Sequence, residues 1–340
     1  MNHIKSFIAH CCINGICEWI VCPGARNAAL LQVLAASPDL VKRTHFDERG
    51  AGFFALGRIQ DMGLPVAVVT TSGTAAAELL PSVIEAYYEG RPLMVITADR
   101  PAEFRGSGAP QAIEQAELFG IYAPTIDMAS PEEMTVEIFE NWDYASPIHI
   151  NVCLPEPDLA AEIADCDLYP AEPPEITYPP QSLSDLAQAL RFKSRLGLVL
   201  MIGGLDPNEQ APALWLAKEL RVPVIADATS GLREELAQFN LISADRLLRK
   251  NPPKIVLRVG DVPVSRFWRD LENLPNTEVY SISRTPFSGL ARESTLIQGD
   301  LEQVLESLGD IDTVGDVNDL KASHHKHLSK SQISLANHHQ

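Results

Sequence analysis

Positive charge is scarce in this chain: 27 Lys and Arg stand against 45 Asp and Glu, a formal net charge of -18 over 340 residues. Such a balance repels phosphate backbones and anionic headgroups, so neither nucleic acid nor membrane is expected as a partner, and small molecules or other protein chains are. Long hydrophobic runs are missing too. No stretch reaches the length of a membrane-spanning helix, and Met1 to Ile20, interrupted by Cys, Asn, Gly and Glu, does not read as a signal peptide. The six cysteines (Cys11, Cys12, Cys17, Cys22, Cys153, Cys166) contain no CxxC pair, which suits neither a zinc site nor a secreted disulfide framework. They read as buried thiols in a reducing cytoplasm. A full GxGxxG fingerprint is also absent, so Gly203-Gly204 is expected to be a structural turn rather than a dinucleotide cradle.

What is present is alternation. β-branched runs at Trp19 to Cys22, Lys42 to Phe46, Val66 to Thr70, Leu93 to Thr97 and Ile148 to Val152 are separated by helical patterns starting near Asn27, Arg49, Gly73 and Pro131. A second set follows at Leu198 to Ile202, Val222 to Asp227, Ile255 to Val259, Thr277 to Ser281 and Thr295 to Gln298. Alternation of this kind predicts an α/β protein with two doubly wound parallel sheets. The run YPAEPPEITYPPQ holds five prolines and no periodicity, as an extended linker does. The expected organisation is a first domain over 1–169, a linker over 170–181, a central α/β domain over 182–309 and a polar tail over 310–340. That tail carries His324, His325, His327, His338 and His339.

In open α/β sheets ligands sit beyond the carboxyl ends of the strands, where helix N-termini present free amides. Four turns of the first domain qualify: Cys22 to Asn27, Phe46 to Gly52, Thr70 to Ala75 and Thr97 to Pro101. In a chain short of cations, an arginine beside such a turn is a candidate for binding an anionic ligand, and Arg26 and Arg100 fill that description.

At these residues the chain resembles the pyrimidine-binding domain of thiamine-diphosphate enzymes, specifically the succinyl-enolpyruvyl-hydroxycyclohexene-carboxylate synthases of menaquinone and phylloquinone biosynthesis. The resemblance rests on VCPGARNAAL, HFDERGAGFFALG, VTTSGTAAAELLPSVIEAYYEGRPLMVITADRP and GSGAPQAIEQAELFG, with looser likeness in IADATSGLR and VLRVGDVPVSRFW. It implies that Glu48 is the carboxylic acid that activates the cofactor's aminopyrimidine. It further implies that Gly24, Ser72, Gly73 and Thr74 line the cofactor site, that Gln111 is catalytic, and that Arg26 and Arg100 hold substrate carboxylates as planar forks. Arg266 falls where the family generally has a lysine reaching substrate from the central domain. Ala25 and Asn27 depart from the family's serines, so a hydroxyl near the substrate is expected to be lost.

The implied reaction is decarboxylation of 2-oxoglutarate and 1,4-addition of the product to isochorismate, with thiamine diphosphate and Mg2+ as cofactors. A homodimer or tetramer is implied as well. The family's GDG-type diphosphate motif is not found; Gly299-Asp300-Leu301, Gly309-Asp310-Ile311 and Gly315-Asp316-Val317 lack the second glycine. The expectation is therefore a chain whose diphosphate-binding domain is absent and whose active site a separate chain or a longer product completes. The alternatives are a noncatalytic binding or regulatory remnant, and the pyrimidine-domain subunit of another split oxo-acid decarboxylase.

Overall fold

In the computed structural model the described residues are all except Met1, 131–132, 134–138, 140, 159–165, 179, 191–196, 242 and 309–340. The helix expected near Pro131 and the histidine-rich tail lie outside them. The chain divides into two compact units, Met1–Thr177 and a second beginning at Tyr178.

The first unit is a six-stranded sheet of order β2-β1-β3-β4-β6-β5, made of β1 (Glu18–Val21), β2 (Val41–Thr44), β3 (Val66–Thr70), β4 (Leu93–Asp99), β5 (Thr125–Met128) and β6 (Ile148–Cys153). All its pairings are parallel. The central strands β1, β3, β4 and β6 are buried at every residue, which is why they are largely apolar, with a few buried polar residues such as Glu18, Asp99, His149 and Asn151 among them. Alternate residues feed two cores. Trp19, Val21, Ala67, Val69, Met94 and Ile96 pack with α1 (Asn2–Ile13) and α2 (Ala28–Ala35). Ile20, Val66, Val68, Leu93 and Val95 face α3 (Glu48–Met62) and, beyond the short α4 (Thr74–Ala77), α5 (Leu80–Glu89). The sheet is thus doubly wound, as expected.

Three local differences from the sequence reading have plain causes. β2 is an edge strand with a largely exposed pattern, and it stops at Thr44, short of Phe46. β4 runs on to Asp99 because β6 stays in register with it as far as Cys153. β5 is an additional strand: TIDM is too short and too polar to read as one, and it exists because β6 pairs with it.

The second unit has a five-stranded parallel sheet, order β11-β10-β9-β7-β8. Its strands are β7 (Leu198–Ile202), β8 (Val224–Ala226), β9 (Ile255–Val259), β10 (Glu278–Ser283) and β11 (Thr295–Gln298). One face packs on α7 (Pro207–Leu220) and α10 (Leu301–Leu308), which follow the short α6 (Ser184–Gln188). The other packs on α8 (Ala244–Lys250) and α9 (Arg266–Asp270). Gly203 and Gly204 lie against Asp261: a β-carbon on Gly203 would sit 2.0 Å from its carbonyl oxygen, and one on Gly204 2.6 Å from its carboxylate. The space above this turn is therefore filled by the chain itself.

Candidate functional site

The strand order of the first sheet reverses between β1 and β3, and a crevice opens beyond the strands' carboxyl ends at such a point. Gly24, after β1, is pressed onto Thr71, after β3; a β-carbon there would lie 2.5 Å from Thr71 Cβ. Only glycine allows the two turns to meet. The first turn is braced from within by Asn27, which is fully buried. Its Oδ1 accepts from the Gly24 amide at 2.9 Å and its Nδ2 donates to the Cys22 carbonyl at 2.9 Å. The Asn27 side chain is thus spent on the turn's own backbone. Ala25 is exposed.

Beside the crevice, Asp47 is the N-cap of α3 and accepts from the Gly50 amide at 2.6 Å. Glu48 is the first helical residue and half-buried. Among the described residues its carboxylate makes no hydrogen bond or ion pair, whereas that of Asp47 is engaged by the cap. Glu48 lies close enough to Cys22 to act on it: burial above all, then the charges of Glu48 and Asp47, push the Cys22 thiol up to about 12, so it stays protonated.

The third turn carries Ser72, Gly73 and Thr74. Gly73 adopts φ +82°, the left-handed region, and a β-carbon there would strike Gln111 Cγ at 2.9 Å. Gln111 is itself left-handed at φ 60° and donates from Nε2 to the Ser72 carbonyl at 3.2 Å. Ser72 is buried and Thr74, at the start of α4, is exposed. The Thr70 and Thr71 hydroxyls are buried with no hydrogen-bond partner among the described residues. Buried hydroxyls of that kind are normally satisfied, and here they lie beside the crevice.

The arginines are held by the chain. Arg26 reaches the segment after β6, donating from Nη1 to the Leu154 carbonyl at 3.3 Å and pairing with the exposed Glu156 at 3.0 Å. Arg100 donates from Nε and Nη2 to the Pro110 carbonyl, at 3.1 and 2.7 Å, tying the strand end to the loop that carries Gln111. A ligand carboxylate at either arginine has to compete with these partners, and Glu156, exposed as it is, is the cheaper one to displace. Arg266 belongs to the second unit, where it is exposed and pairs with Asp270 at 3.1 Å. The first unit thus brings together Gly24, Glu48, Ser72, Gly73, Arg100 and Gln111 on the turns after four adjacent strands. Arg266 is not part of that group.

Residue patterns missed the layer beneath. Asp99 is buried, and its Oδ1 accepts from the Arg100 amide at 2.7 Å. Asn151 donates to Asp99 Oδ2 at 3.1 Å and Asp127 Oδ1 at 2.8 Å, and Asp127 is gripped by both Nη atoms of Arg105 at 2.7 Å. The Arg105 hydrogen bonds hold Asp127 below the usual carboxylate range. His149, fully buried, sits between the Thr97 and Thr125 hydroxyls at 2.8 and 3.0 Å, and burial lowers it to about 3. Asp99 lies within the Thr97 to Pro101 turn that the sequence marked, but Asn151, Asp127, His149 and Arg105 lie on strands or in a loop with no motif to mark them.

Residues 3–118 match the family described as thiamine pyrophosphate enzyme, N-terminal TPP binding domain. The chain is 71% identical over 321 residues to the 2-succinyl-5-enolpyruvyl-6-hydroxy-3-cyclohexene-1-carboxylate synthase of Akkermansia muciniphila, covering 94% of this chain and 60% of that one. It is 37% identical to the synthase of the same name from Bdellovibrio bacteriovorus, over 82% of this chain and 54% of that protein. For the synthase of Geobacillus thermodenitrificans the figures are 36% identity, 78% and 50%. The chain therefore spans half to three-fifths of the length of these relatives, and over that span it is similar to 2-succinyl-5-enolpyruvyl-6-hydroxy-3-cyclohexene-1-carboxylate synthases, with the thiamine pyrophosphate enzyme N-terminal domain in its first unit.

Proposed function

We propose that this chain forms the pyrimidine side of the active site in a transferase that decarboxylates 2-oxoglutarate and adds the product to isochorismate, giving 2-succinyl-5-enolpyruvyl-6-hydroxy-3-cyclohexene-1-carboxylate for menaquinone or phylloquinone. The observation that carries the reading is Glu48: a half-buried carboxylate at the mouth of the β1/β3 crevice, with no hydrogen bond or ion pair among the described residues. Thiamine diphosphate, when bound, supplies the electron sink for decarboxylation. The residues present fit its pyrimidine end, because the turns that Gly24 and Gly73 allow to close carry two orphaned threonine hydroxyls beside the crevice.

In this reading Glu48 would supply the carboxylic acid that activates the cofactor's aminopyrimidine, Ser72, Gly73 and Thr74 would line the cofactor site, and Gln111 would be a catalytic residue. Arg26 and Arg100 bind substrate carboxylates, and Arg266 contributes a further positive charge. Mg2+ and the diphosphate group belong to the same reading, with no residue of this chain assigned to them. Among the described residues no group of three or more His, Cys, Asp or Glu could hold a metal ion. The reading extends to a cytoplasmic homodimer or tetramer, with the diphosphate held by a separate chain or a further domain, and to a division into domains over 1–169 and 182–309. No described helix is long and apolar enough to cross a membrane.

The test is turnover by the full protein that carries this sequence, given 2-oxoglutarate, isochorismate, thiamine diphosphate and Mg2+, with the product followed by mass spectrometry. Glu48→Gln should lower kcat by about 10²- to 10⁴-fold, the usual contribution of a positioned acid or base, and leave the oligomeric state unchanged. Undiminished turnover by Glu48→Gln would remove the role given to this residue.

A further inference from the structure

We propose that Gln115 is a positioning residue for the reaction: it fixes the Ser72-Gly73-Thr74 turn and couples that turn to Arg100. The kinetic part of this inference rests on the function proposed above; the structural part does not. Gln115 is almost wholly buried. Its Oε1 accepts from the Gly73 amide at 2.7 Å, while its Nε2 donates to the Ala98 carbonyl at 3.2 Å and to Asn151 Oδ1 at 2.9 Å. Gly73 is the N-cap of α4 and adopts a conformation that only glycine takes without strain, so its amide needs an acceptor from outside the turn. Gln115 provides one. From the same side chain a continuous path runs through Asn151 to Asp99 Oδ2, and Asp99 Oδ1 in turn receives the Arg100 amide. The turn that lines the proposed cofactor site and the arginine proposed to bind substrate are thereby held in one hydrogen-bonded frame. Gln111 leans on the frame through Ser72.

A primary amide is the one side-chain group that accepts at one end and donates twice at the other, so no other residue type of this length reproduces the set. Methionine keeps the volume and loses all three bonds, leaving the Gly73 amide buried and unmet. Glutamate keeps the acceptor but, when ionised, turns a second oxygen toward the Ala98 carbonyl and Asn151 Oδ1. Its surroundings hold Asp99 and Asp127, balanced by Arg105, with His149 neutral. Burial and the two carboxylates raise the carboxyl of Gln115→Glu, and once protonated it donates to one of the two acceptors that the amide served.

The experiment uses the full protein that carries this sequence. Hydrogen exchange at the Gly73 amide should quicken by about tenfold or more in Gln115→Met, because a protected donor loses its acceptor, and kcat/KM should fall by about 10- to 100-fold. For Gln115→Glu, the ratio of its kcat/KM to that of the wild type should rise as pH falls, an effect that a merely loosened fold does not produce. Unchanged Gly73 exchange in Gln115→Met, or a Gln115→Glu ratio that is flat with pH, overturns the inference. Should the wild type fail to turn over these substrates, the proposed activity falls, and the exchange measurement alone still decides whether Gln115 fixes the turn.

Discussion

His149 shows how one buried side chain sets a pH response. Its ordinary value of 6.5 is lowered to about 3, with desolvation as the leading cause and the nearby Asp127 opposing it. Across that window the unfolded chain binds the proton and the folded chain does not, so stability rises with pH and is lost as pH falls from about 6.5 toward 3. Asp127, held low by Arg105, acts in the same direction, since its contribution is present above the unfolded carboxylate value and lost on acidification. Together with the hydrogen bonds to Thr97 and Thr125, the expected cost for His149 is about 2 to 5 kcal/mol on full acidification. Denaturant unfolding at pH 7 and pH 4.5 should show a smaller acid loss for His149→Gln than for the wild type; equal losses would rule the assignment out. Nothing in the string IHINVC announces this residue. Val, Ile and Cys on either side mark a strand, but the polar partners of His149 come from β4 and β5, and their nearness is a product of strand order.

In the second unit the informative element is β9. Arg258, its fourth residue of five, is wholly buried and flanked in register by Met201 of β7 and Ser281 of β10. It stacks on Trp268 of α9 at 5.5 Å and donates from Nη2 to the Phe287 carbonyl at 3.0 Å, while Nε and Nη1 have no partner among the described residues. Burial lowers it to about 10, against the pull of Asp261. A charge so poorly compensated costs more in desolvation than it returns. Arg258→Met, similar in length and apolar, should therefore be neutral or stabilising by about 1 to 3 kcal/mol in thermal unfolding. A loss of similar size would show that the guanidinium has a partner that matters. As an element, β9 was legible because IVLRV is apolar apart from this one residue. The arginine itself reads from sequence as an exposed position, and only the sheet and helix packing around it puts it inside.

On the scale of the whole chain, the apolar clusters of the two units share no residue. A cavity made in one should leave the other intact: Leu257→Ala, at the centre of the second sheet, should cost about 2 to 5 kcal/mol there and leave hydrogen exchange in β3 and β4 of the first unchanged. Faster exchange in both would show that the units unfold together. The sequence by itself determined the α/β class, the two sets of strands, and the glycines and acidic residue at the strand-end turns, because period, burial and turn chemistry are local and repeat along the chain. The turns that carry Glu48, Gly24 and Gly73 were legible for that reason, and the roles expected of these residues came from the resemblance to thiamine-diphosphate enzymes. Only the tertiary structure decided that Asn27 braces its own turn, that TIDM becomes a strand, and that Gln115, Asn151 and Asp99 join the site residues from below. Those facts depend on which strands lie side by side, and parallel pairing brings together residues as far apart in the chain as Gly73 and Asn151, for which spacing carries no signal.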